Sequence, residues 1–151
     1  MVNLEIHLEG YIKTESDDSE LFLSPNPDIN YGERIANIIQ RKLSRCSYER
    51  SKNQKYLEDG FTEGTDVSIY IPNVALRMYF SDKKEPLETI QKNVILQTFG
   101  GLDVYQKWYG YSEYTIEGFD LINLTIGNHD LESILRTYLN KYVYIIIEFE
   151  A

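Results

Sequence analysis

The 151-residue sequence predicts a single α+β domain over residues 1–151: a mixed or mostly antiparallel sheet of about five strands carrying two to three helices. Three observations lead there. Stretches that alternate apolar with polar residues interleave with stretches of helical spacing, in the order β-α-β-β-α-β-α-β. No internal repeat or linker divides the chain. The composition, 42% hydrophobic and 13% aromatic, suits a chain that buries an ordinary core.

The elements follow in chain order. Val2, Leu4, Ile6 and Leu8 alternate with Asn3, Glu5, His7 and Glu9, the period-two pattern of a strand with one wet face. The polar run Glu15–Glu20, then Pro25 and Pro27, break the chain before a first helix. Tyr31, Ile35, Ile38, Ile39, Leu43 and Cys46 form that helix's apolar stripe, with Arg34, Arg41 and Arg45 off it. Val67–Ile71 and Val74–Phe80 are two alternating runs, and Pro72-Asn73 between them is expected to turn a hairpin. Pro86 opens a second expected helix with the stripe Leu87, Ile90, Val94 and Ile95, stopped by Gly100-Gly101. Thr115–Ile126 reads as a strand, followed by a helix capped by Asn128 with Leu131, Ile134, Leu135 and Tyr138 inward. Tyr142–Phe149 is apolar on both faces, as an interior strand is.

The bulk numbers narrow the function classes. Cys46 is the only cysteine, so no internal disulfide forms and a reducing, cytoplasmic setting is expected. The N-terminus lacks a secretory pattern, and the longest apolar run, Tyr142–Ile147, has strand length, so no membrane association is expected. Net charge is −9, unevenly spread. Seven basic residues against two acidic ones between Glu33 and Lys55 set that segment at +5, leaving −14 on the remainder. Such a surface repels nucleic acid and attracts basic partners.

Gly127-Asn128-His129-Asp130, after an apolar strand, resembles the metal-ligand turn of calcineurin-like metallophosphoesterases, and Leu4–Gly10 resembles that family's opening strand. The resemblance implies a two-metal site. Glu5 stands where that family has Asp, and no histidine follows His129, so the ligand set is incomplete. One cysteine and two histidines also leave no Cys/His metal site, and no phosphate loop or dinucleotide fingerprint is present. No catalytic residue, metal or cofactor is therefore assigned. Gly127 and Asn128 are accounted for by a turn and a cap.

Two patches are candidates for binding. Tyr105, Trp108, Tyr109, Tyr111 and Tyr114 crowd one short segment with Glu113, and such rings are enriched at interface hot spots. Tyr105, Tyr109, Tyr111, Tyr114 and Glu113 are the expected partner-binding set. Arg41, Lys42 and Arg45 are the expected anion-binding set, although such a run is more often the solvated face of a helix. The composition suits a small acidic binding or inhibitor protein of bacterial or phage type. The models are an immunity protein, an antitoxin or an anti-defence factor that occludes a basic partner such as a nuclease. The alternatives are an enzyme or small-ligand or nucleotide binder with a carboxylate site, and a self-associating structural subunit.

Overall fold

The computed structural model describes residues 3–14, 21–29, 32–43, 67–92, 94–109 and 118–150. Its strands are β1 (Asn3–Lys13), β2 (Phe22–Ser24), β3 (Glu33–Arg34), β4 (Val67–Ser81), β5 (Val94–Tyr109), β6 (Gly118–Ile126), β7 (His129–Asp130) and β8 (Tyr142–Glu150). Its helices are α1 (Ile35–Leu43), α2 (Leu87–Ile90) and α3 (Leu131–Thr137). The eight strands form one sheet in the order β3-β2-β1-β8-β4-β5-β6-β7, antiparallel throughout and curled into a half-barrel.

This corrects the expected α+β arrangement of about five strands with helices packed on it, for reasons seen in particular residues. Pro72 and Asn73 do not turn a hairpin. β4 runs through them, and the register with β5 skips from Ile71 to Val74, so both sit in a bulge where proline's missing N–H breaks no ladder bond. The second expected helix lasts one turn, Leu87–Ile90, and the chain re-enters the sheet as β5 at Val94. Gly100 and Gly101 end no helix; they allow close approaches within β5. A Cβ on Gly101 would lie 2.4 Å from Tyr70 Oη, and one on Gly100 would lie 3.1 Å from the Gly127 backbone.

Side-chain alternation splits the sheet into two faces. The inner face packs Leu76, Met78, Ile145 and Ile147 against Ile35, Ile38 and Ile39 of α1 and Leu131 and Leu135 of α3. Asp130, rather than Asn128, caps α3, its carboxylate accepting from the N–H groups of Glu132 (3.1 Å) and Ser133 (3.3 Å). On the outer face α2 covers one end, where Ile90 packs with Tyr11, Tyr79, Tyr142 and Ile146. Lys13, 6% exposed, donates from Nζ to the Pro27 carbonyl (2.7 Å) and Asn140 Oδ1 (3.0 Å), joining the turn after β2 to the one before β8. No helix among the described residues is long and apolar enough to cross a membrane.

Candidate functional site

The register of β1, β8, β4 and β5 sets the outer face in rows. One row reads Glu5, Glu148, Ala75, Phe99 and the next His7, Ile146, Arg77, Gln97. A third reads Glu9, Tyr144, Tyr79, Val94. Glu150 flanks the first row, opposite Asn3. Glu5, Glu9, Glu148 and Glu150 thus share this face with Arg77.

Glu5 and Glu148 are direct cross-strand partners, an arrangement of like charges that destabilises a sheet. Partial compensation comes from Arg77, 3.8 Å from Glu5, and His7 Nε2 lies 3.7 Å from the same carboxylate. Ala75 lies between Glu148 and Phe99, and its small side chain leaves a hollow of about 520 Å³ lined by Arg77, Gln97, Thr98, Phe99 and Glu148. A second hollow of about 300 Å³ adjoins it, lined by Asn3, Asn73 and Glu150 besides the shared Ala75, Phe99 and Glu148. Phe99 stands over both at 67% exposure, unusual for so large an apolar ring.

Toward α2 the face becomes a tyrosine network. His7 Nδ1 is 2.7 Å from Tyr144 Oη, with the rings edge to face. Tyr142 Oη donates to the Glu9 carboxylate, and Tyr11 Oη accepts from the Lys84 N–H at 2.9 Å. Burial, followed by the Glu9 carboxylate, pushes the Tyr142 phenol above its ordinary value. Burial and then Glu9 and Glu5 push Tyr144 the same way. Both phenols therefore remain protonated near neutral pH, and Tyr142 donates to Glu9.

The expected site residues fall as follows. Tyr105 lies on β5, half-buried, on the same face as Phe99 and opposite Asn123 of β6. Asn123 Nδ2 donates to Asp103 Oδ2 (2.8 Å) beside it. Tyr109 ends β5 in register with Gly118, while Tyr111, Glu113 and Tyr114 lie outside the described residues. Arg41 makes a two-pronged bond to Glu33 (3.0 and 2.8 Å), which raises its pKa. Lys42 is half-buried on α1, and Arg45 lies outside the described residues. The glutamate row and Phe99 were not among the expected residues. Their signal was the wet face of β1 and the polar end of β8, which only the pairing brings together. Among the described residues no group of three His, Cys, Asp or Glu side chains is placed to hold a metal ion. No protein-family model, curated protein or solved structure matches the chain.

Proposed function

We propose that the protein is a small acidic binding protein that occludes a basic partner protein, such as a nuclease or toxin, with the outer face of its sheet. The observation that carries this reading is the row Glu5–Glu148–Ala75–Phe99. Two opposed carboxylates, a hollow and an exposed ring suit an arginine or lysine side chain. The cation would neutralise the glutamate pair while its stem and charge rest on Phe99, a contact worth about 0.5–2 kcal/mol. Close charge pairs at such interfaces couple by about 1.5–7 kcal/mol when desolvated. Glu9 and Glu150 extend the field along the face, which favours fast encounter with a cationic surface. Tyr70, 57% exposed and lying across Gly101, adds a second aromatic contact on that face.

Affinity capture with the tagged protein from its host's lysate tests the reading, with wash salt raised from about 50 to about 500 mM. One basic protein held in stoichiometric amount, released by salt and lost with Phe99→Ala, is expected. Capture that ignores salt and both Phe99→Ala and Glu148→Lys would remove the outer face from the account.

A further inference from the structure

Among the described residues the sheet has an open edge away from its two ends. β5 pairs with β4 from Val94 onward, but its partner on the other side, β6, joins only at Leu102. At Gly101 the chain closes back, where the Gly127 N–H donates to the Gly101 carbonyl at 3.0 Å. Among the described residues no strand lies beside Val94–Phe99 on the side away from β4. Backbone N–H and C=O groups on such an edge are directed at solvent, and an added strand is the structure that satisfies them together.

The side chains along this edge are unusual for an edge left bare. Natural sheets protect edges with charge, proline or very short strands. Val94-Ile95-Leu96-Gln97-Thr98-Phe99 contains no charge, proline or glycine, and no charged residue occurs before Asp103. Val94, Ile95 and Phe99 are exposed at 48%, 42% and 67%. One protective device remains: a register shift opposite Met78 and Tyr79 makes Ile95 the extra residue of a bulge, leaving Leu96–Phe99 regular.

We infer that this edge pairs with the same edge of a second copy, joining two half-barrels into one continuous antiparallel sheet. Charge selects this occupant. In a chain of net −9, two copies repel least where they meet through an uncharged segment, whereas a cationic strand finds no carboxylate along Val94–Phe99. A two-fold axis perpendicular to the sheet requires opposed residues to share a face. Centring the axis on Gln97 meets that requirement along the regular stretch, setting Gln97 against its own mate on the outer face and Leu96 against Thr98 on the inner one. The outer faces of the two copies become one surface with two glutamate rows. This inference goes beyond the acidic-face reading, and its test needs no partner.

Sedimentation equilibrium on the full chain across a concentration series is the test, paired with a crosslink. A mass approaching twice 17.7 kDa is expected, with the dimer fraction rising as salt screens the repulsion between copies. Gln97→Glu should return the protein to monomer, because two carboxylates would meet on the axis. Within one copy the same change gains Arg77 as a direct cross-strand partner, so folding is retained. Gln97→Cys in a Cys46→Ser background should form a disulfide dimer under mild oxidation. Antiparallel partners stand about 4.5–5.5 Å apart at Cα, within the reach of that bond. A mass of 17.7 kDa at every concentration, or a dimer that Gln97→Glu leaves intact, overturns the proposal. So does a monomer in which a basic partner alone protects the Val94–Phe99 amides from exchange.

Discussion

Replacing Glu148 by glutamine should stabilise the fold while weakening binding. Cross-strand partners place their Cβ atoms about 4.5–5.5 Å apart, so the two carboxylates stand about 6 Å from one another. At that distance in water the repulsion is about 0.7 kcal/mol. Screening at moderate salt lowers it to about 0.4 kcal/mol. Glu148 has no ion pair among the described residues to lose, whereas Glu5 also contacts Arg77 (3.8 Å) and His7 (3.7 Å). Glu148→Gln should therefore gain about 0.4 kcal/mol, roughly 1 °C in melting temperature for a chain of this size. Glu5→Gln should gain less, and the double variant should gain less than the sum of the singles. Urea denaturation of the four proteins at about 50 and about 500 mM salt measures the cycle, and the gain should shrink at the higher salt. A destabilised Glu148→Gln protein, or additive singles, would refute the placement of the two glutamates opposite each other.

Three further outcomes follow from the packing and the titrating groups. Lys13→Met should cost about 2–3 kcal/mol in urea denaturation, because the Pro27 carbonyl and Asn140 Oδ1 lose a charged donor inside the fold. Leu76→Ala, at a fully buried position on β4 flanked by Ile147 and Thr98, should cost about 2–5 kcal/mol by the same assay. Tyr142 has a folded-state pKa raised by burial and by Glu9, so its contribution is complete below the ordinary tyrosine value near 10 and lost as pH rises above it. Thermal melts from about pH 8 to about pH 11 should show a steeper alkaline loss for the wild type than for Tyr142→Phe.

Some of this architecture was legible in the sequence. The alternation at Leu4, Ile6 and Leu8 marks β1, the two-sided apolar run marks β8 as interior, and Leu131 and Leu135 mark the buried stripe of α3. β5 was hidden because Leu87, Ile90, Val94 and Ile95 also match a helical stripe. The structure divides them, burying Ile90 under the outer face and leaving Val94 and Ile95 exposed on a strand. Pro72 disguised a long strand as a hairpin because nothing local distinguishes a bulge from a turn. The candidate site was hidden for a different reason. Glu5 and Glu148 lie at opposite ends of the chain, and only the β1–β8 register makes them neighbours. Phe99 reads as one apolar residue before a glycine pair until β5 aligns it with Ala75.

Calorimetric titration of the captured basic partner with Glu148→Lys measures the proposed engagement of that partner by the outer acidic face. The lysine would stand opposite Glu5 as an opposite-charge pair, so the variant should fold at least as stably as the wild type. About a 100-fold loss of affinity with the fold intact is expected, equivalent to about 2.7 kcal/mol. Undiminished affinity in a folded Glu148→Lys protein would contradict it.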